Sequence, residues 1–315
     1  VAEGYTNQDW KVIDYQMYCL DPEIIDRQTN TQLLFRGPKP QKLEEGKYFV
    51  SIGAAQTFGR FCEEPYPTLL QKRLGIQTVN LGRGGAGPSF FSKDNDKLLK
   101  YINSARFAII QIMSGRSESN SLFTSKGLGF YTRVSDGTPI GCDDAFRELL
   151  KQHDKDYIKT IITETRNNWV DNYRELLEEI TPPKILFWFS TRKPHYKEKY
   201  KDIHTLFGEF PQLVNTHMIN LIRKHCDEYV ECVSRKGIPH TLINRFTGKP
   251  ITIEDPWGGV WDKNWYYPSP QMHVAAANTL EKVCKRYLHP IGLQKRSSVS
   301  FSFSKWLYRK NTIIL

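Results

Sequence analysis

Four stretches of the chain are apolar almost without interruption: "YFVSIG" (48–53), "IQTVNL" (76–81), "FAIIQIM" (107–113) and "KILFWFS" (184–190). Continuous rather than alternating apolarity marks strands covered on both faces, as in a parallel sheet. Between the first pair, "PYPTLLQKRLG" predicts a helix with Gly75 as its C-terminal stop, and "KDNDKLLKYINSA" predicts another before the third strand. Strand alternating with helix at this spacing predicts a doubly wound parallel α/β sheet. The Ser- and Gly-rich stretch 114–142 reads as a long loop on the functional face. A charged helical region of one or two helices follows, ends at Pro182-Pro183, and is long enough for part of it to cap the site. "PQLVNTHMINLIRKHCDEYVECVS" predicts a helix and then a short strand near "YVECV". In "YYPSPQMHVAAANTLEKVCKRYL", Ser269 suits an N-cap and Pro270 the first helical position. The expected organisation is an extension over 1–46, an α/β domain over 47–290 with an insertion at 114–182, and a tail over 291–315.

Charge changes this picture at one end only. The net charge of +10 suggests nucleic acid, but Lys282 to Leu315 holds eight Lys or Arg and no acid, leaving 36 basic against 34 acidic residues upstream. A basic arm on a near-neutral body makes nucleic acid an unfavoured partner. The tail mixes these charges with aromatic and aliphatic residues, which suits an anionic membrane surface, a neighbouring subunit, or a solvated arm. The six cysteines form no CxxC pair and no Cys/His metal spacing. Reduced thiols, a cytoplasmic setting (membrane-peripheral through the tail) and no metal are the expectations.

The candidate chemistry lies on three turns after strands, "GAAQTFGR", "NLGRGGAGPS" and "SGRSESN", because carboxyl-end turns of an open parallel sheet form its ligand crevice. His273 opens the last helix, whose N-terminus disfavours imidazolium; a neutral base and a packed or capping histidine are both open readings. Arg60, Arg83, Arg116 and Arg192 follow strand ends. Guanidinium forks and helix-start N–H groups favour phosphate or sulfate oxygens; solvated surface arginines are the bland alternative. "GRGGAG" matches the dinucleotide fingerprint but follows the second strand and runs into Pro88, so a Rossmann cofactor is not expected. Trp257, Trp261, Trp265, Tyr266 and Tyr267 crowd the loop before His273, as stacking surfaces for sugar rings or as a roof over the core.

In their order, "IGAAQTFGRF", "VNLGRGGAG", "IIQIMSGRSESN" and "PSPQMHVAAANTL" resemble the blocks of the SGNH/GDSL hydrolase superfamily over roughly residues 48 to 288. The resemblance implies an SGNH-like, flavodoxin-like sheet. Asn80, Gly82 and Gly85 fit the Asn-x-Gly-x-x-Gly block, and His273 fits the catalytic histidine. Ala54 and Ala55 stand where that family has Asp and its nucleophilic Ser, Pro270 stands at the expected aspartate, and Asn120 matches the oxyanion asparagine only loosely. A methyl group cannot serve as nucleophile, so acyl-enzyme hydrolysis is not expected. The local sequence also resembles uncharacterised bacterial proteins of surface-polysaccharide loci.

Gly53, Thr57 and then Arg60 resemble the phosphate-binding turn of sulfotransferases. That resemblance implies 3′-phosphoadenosine 5′-phosphosulfate, or the similar end of a coenzyme A thioester, held by Gly53, Gln56, Thr57, Arg60, Arg83, Gly85 and Ser117. The leading expectation is therefore direct group transfer to a glycan hydroxyl. His273, Arg116 and Asn120 would be catalytic, and Arg192, Trp265 and Tyr266 would hold the acceptor. Two alternatives stand beside it: an SGNH-type glycan O-acetylesterase or acetyltransferase inactivated at Ala55, and a catalytically inactive glycan-binding domain.

Overall fold

A computed structural model describes residues 8–26, 30–92, 96–255 and 258–288. The tail expected over 291–315, and Trp257, lie outside the described residues. The four apolar runs form β1 (Tyr48–Gly53), β2 (Gln77–Gly82), β3 (Ala108–Gln111) and β4 (Lys184–Ser190), and "YVECV" falls within β5 (Glu228–Val233). All pair in parallel in the order β5-β4-β3-β1-β2. Read from the other edge this is 2-1-3-4-5, the flavodoxin-like arrangement that the resemblance implies.

Alternation within the strands divides the core into two layers. Val50, Ile52, Ile110, Leu186 and Trp188 face one side, where they meet Leu98 and Ile102 of α3 (Asp96–Asn103) and Trp169, Tyr173 and Leu176 of α5 (Lys155–Glu179). Phe49, Ile109, Ile185, Phe187 and Phe189 face the other, against Tyr66 and Leu70 of α2 (Tyr66–Leu74) and Ala276, Ala277 and Leu280 of α6 (Pro270–Lys285). With both faces covered, every residue of β1 is buried.

The helix signals act as read. Gly75 takes the left-handed conformation (φ 69°) that ends α2, and the Ser269 side chain accepts from the Met272 N–H at the start of α6. The long charged stretch divides into α4 (Cys142–Gln152) and α5, with Asp154 capping the second through the N–H groups of Asp156 and Tyr157. The stretch expected to be one loop, 114–142, differs. It holds a three-stranded antiparallel ribbon, Phe123–Ser125, Phe130–Arg133 and Pro139–Gly141. Phe123 and Tyr131 give it an apolar face that packs on α4 and on the amino-terminal half of α5, so a short ribbon can be stable here.

The early chain also packs on the domain. Arg36 donates to the carbonyls of Gly59 (2.9 Å), Cys62 (2.8 Å) and Glu63 (2.9 Å), pinning the connection between α1 (Ala55–Phe58) and α2. None of the six cysteines is disulfide-bonded. Among the described residues, no helix is long and apolar enough to cross a membrane.

Candidate functional site

The turn after β1 is built by close approach. Gly53 and Gly82 end adjacent strands in register, and a Cβ at Gly82 would stand 2.1 Å from the Phe58 nitrogen. Only a bare backbone lets α1 sit this close to β2. Asn80 fastens the contact: its Nδ2 donates to the Thr57 carbonyl (2.9 Å) and its Oδ1 accepts from Gly82 N–H (2.9 Å). The matched glycines and asparagine thus shape the turn whether or not a nucleophile stands on it.

Ala55 is buried among Tyr15, Phe58, Ile13, Met17 and Tyr267. Its methyl is therefore a packing group under the early chain. Thr57 is fully buried, with Oγ1 bonded to Gln111 Oε1 (2.6 Å) and near Tyr66 Oη (3.0 Å). Arg60 is equally buried: Nε and Nη2 form a fork on Asp9 (2.9 and 3.0 Å), and Nη1 reaches Tyr267 Oη (3.1 Å).

His273 has no exposed surface. Its Nδ1 accepts from the Tyr66 N–H (3.2 Å), which places the ring proton on Nε2, and Nε2 has no partner. Burial, and then the Arg36 charge, push its pKa down to about 3. The ring is neutral at ordinary pH and a feeble base. It packs edge-on to Phe189, centroids 5.4 Å apart, behind the wall of the cavity described next.

That cavity, of about 450 Å³, opens at the carboxyl end of the sheet. Gln56 reaches it from the turn after β1, Arg116 from the segment after β3, and Ser190 and Thr191 from the end of β4. Phe189, Phe207, Phe210, Trp261, Trp265 and Tyr266 supply aromatic wall. Asn264, wholly buried, holds the aromatic loop by accepting from the N–H groups of Tyr266 (3.2 Å) and Tyr267 (2.8 Å) and donating to the Tyr267 carbonyl (2.8 Å). Tyr266 Oη accepts from Gln212 Nε2 (2.8 Å). Arg116 is paired with Asp143, and Arg235 with Glu209.

Of the residues singled out from the sequence, Gln56, Arg116, Trp261, Trp265, Tyr266 and Tyr267 come together here. The others serve the frame around it. Arg83 pairs with Asp26 and lies over Phe90. Ser117 Oγ donates to the carbonyl of Gly85 (2.8 Å), a residue at φ +76° against Gly129. Asn120 spends Nδ2 on Thr165 Oγ1 (3.0 Å) and Oδ1 on the N–H groups of Leu122 (3.0 Å) and Phe123 (3.1 Å). Arg192 donates to the carbonyls of Glu209 (2.8 Å), Pro211 (2.7 Å) and Val214 (2.8 Å), so it fixes the loop carrying Glu209, Phe210 and Gln212 into the cavity wall. That loop was missed, although "HTLFGEFPQ" follows the fourth strand, where a crevice segment belongs. Among the described residues, no three His, Cys, Asp or Glu side chains gather to hold a metal ion.

An open parallel sheet with its crevice at the carboxyl ends places the protein in the doubly wound α/β class, with the SGNH-like blocks on its turns. Within that class the chain belongs to the family described as a domain of unknown function, DUF6473, whose model matches residues 22–126 and 146–288. No curated protein matches it. The solved structures similar to it include a carbohydrate esterase family 2 enzyme plus carbohydrate binding domain from Corynascus thermopiles (Myceliophthora fergusii), with TM-score 0.37 and 11% identity over 82% of this chain and 70% of that one. A lipase from a goat rumen metagenome gives TM-score 0.37 and 11% identity over 75% of this chain and 96% of that one. A family two carbohydrate esterase from Clostridium thermocellum, in complex with cellohexaose, gives TM-score 0.35 and 12% identity over 81% and 67%.

The leading expectation, direct transfer from a 3′-phosphoadenosine donor, is corrected. The three solved structures named above are two carbohydrate esterases and a lipase. The geometry supplies a physical reason. Arg60, the centre of the supposed phosphate clamp, is buried and forked onto Asp9, and Thr57, buried within α1, gives its hydroxyl proton to Gln111, so neither presents a donor group to a phosphate.

Proposed function

We propose that the chain is a carbohydrate-recognising, esterase-like domain in which the acyl-enzyme step is silent. The observation that carries this reading is the aromatic-walled cavity at the sheet's carboxyl end, beside a turn whose nucleophile position is the buried Ala55. Sugar rings lay their C–H faces on aromatic side chains and bond their hydroxyls to polar groups at the edges. Trp265 and Tyr266 present exposed rings for the first contact, and Gln56, Gln212 and Arg116 present amide and guanidinium groups for the second. Covalent catalysis needs an activated hydroxyl or thiol; Ala55 has neither, and His273 holds its proton on the unpartnered nitrogen.

Calorimetric titration with neutral and acidic oligosaccharides, run in parallel with acetate release from O-acetylated oligosaccharides, tests the reading. Saturable binding that weakens on Tyr266→Ala, with no acetate released, is the expected result. Acetate release by the unaltered chain would replace this reading with a working hydrolase. Absence of binding to every oligosaccharide up to about 10 mM, below the weakest range of specific recognition, would remove it altogether.

A further inference from the structure

Three residues that line the cavity carry buried polar atoms that the protein leaves without partners, and together they describe a ligand. Gln56 is 2% exposed and Gln212 5%, yet the Oε1 of each is buried without a hydrogen bond. Both lie on the cavity lining. Arg116, on the same lining, gives Nη1 to Asp143, while its buried Nε has no partner. Buried polar groups in native proteins are normally paired, and leaving one unpaired is destabilising. Three such atoms on residues that line one cavity therefore point to ligand atoms as their partners. The two amide oxygens call for donors such as hydroxyl groups. The Nε edge of a guanidinium offers parallel N–H donors at the spacing of a carboxylate's two oxygens.

The charges at the cavity point the same way. Arg235 is engaged by Glu209, and Asp143 is engaged by Arg116 through Nη1 alone. Asp143 and Glu209 are thus each answered by an arginine, and the buried cationic donor left without a partner on this lining is the Nε edge of Arg116. Burial opposes the Arg116 charge, but Tyr266 and Asp143 outweigh it, so the guanidinium keeps its proton. One unspent cationic edge suits one anionic group on the ligand.

Resting on the carbohydrate reading above, we infer that the cavity selects an acidic sugar. Its carboxylate sits on the Nε edge of Arg116, two of its hydroxyls donate to Gln56 Oε1 and Gln212 Oε1, and its ring lies against the aromatic wall.

The test is calorimetry at pH 7 with galacturonic acid oligosaccharides, glucuronic acid oligosaccharides, and the methyl esters of both. Esterification keeps every hydroxyl and removes only the charge and one fork partner. The acids should bind roughly ten- to hundredfold more tightly than their esters, the range for a hydrogen bond to a charged group. Arg116→Gln should abolish that preference, leaving acid and ester within about twofold, whereas Gln56→Leu should weaken both together. Arg116→Lys keeps the charge without the fork and should retain only part of the preference; it carries the test if Arg116→Gln does not fold. Equal binding of acid and ester by the unaltered chain would overturn the acidic-sugar inference and leave carbohydrate recognition standing. Binding of neither would overturn both.

Discussion

The turn after β1 and the cavity beyond β4 lie at the same end of one sheet, yet they treat their polar groups in opposite ways. At the turn, Arg60 is forked onto Asp9, Thr57 is bonded to Gln111, and Asn80 ties the turn to β2. At the cavity, two glutamine oxygens and an arginine nitrogen are buried without partners. A group whose hydrogen bonds are spent on the fold is not available to a ligand. The contrast separates polar groups that hold the domain together from polar groups on the cavity lining that the protein leaves without partners. It also explains why the arginine best placed in sequence for an anion is not the arginine that meets the cavity.

The contrast breaks most visibly at Arg60. Removing the guanidinium with Arg60→Met takes the Arg60 cation away from the buried Asp9 carboxylate, which keeps the Tyr15 hydroxyl (2.8 Å), a loss of about 3–5 kcal/mol. Asp9→Leu combined with Arg60→Met should recover most of it, since a buried pair can be exchanged for apolar packing. Urea denaturation of the single and double variants measures both effects. A loss under about 1 kcal/mol for Arg60→Met would show that the pair is not the fastening described.

His273 sharpens the comparison through pH. Its folded pKa, near 3, lies below the imidazole's ordinary value, so the unfolded chain binds the extra proton more readily. The stability it contributes is complete above about pH 6.5 and is lost as pH falls toward 3. Between pH 7 and pH 5 this amounts to about 2 kcal/mol. Thermal unfolding across that interval should show an acid-side decline that His273→Gln flattens. An unchanged acid limb in His273→Gln would mean that other groups carry the decline.

Ala55→Ser addresses the silent nucleophile itself. The added hydroxyl would lie in an apolar cluster under Tyr15 and Met17, so a loss of about 1 kcal/mol is expected. No burst should appear with p-nitrophenyl acetate, because His273 offers a protonated Nε2 and very low basicity. A stoichiometric burst would show that the turn is one substitution away from an esterase.

Much of the fold was legible because its signals are local. Unbroken apolar runs located four strands, Gly75 and Ser269 marked helix ends, and Asn80 with Gly82 marked a tight turn. The site was legible at the strand ends, which point to Gln56 and Arg116, and in the aromatic loop before His273, which points to Trp265 and Tyr266. Pairing was not legible. Nothing near Arg60 in sequence shows that Asp9, 51 residues earlier, takes both of its fork positions, nor that Asp143 takes only one nitrogen of Arg116. The loop over Glu209 to Gln212 enters the cavity because Arg192 draws its carbonyls inward, a tertiary contact with no periodic signature.

Trp265 should show the smallest effect on stability and the clearest separation of the two regions. It is 63% exposed and lines the cavity mouth, so Trp265→Ala should leave denaturant stability within about 0.5 kcal/mol, as for an ordinary surface position. The same change removes a stacking surface and should weaken oligosaccharide binding severalfold, equally for an acid and its methyl ester, because the ring contributes apolar contact and carries no charge. Measuring both quantities on one preparation gives a direct reading. If stability falls with affinity, Trp265 belongs to the frame like Arg60; if affinity falls alone, the cavity mouth is a surface kept for a ligand at no benefit to the fold.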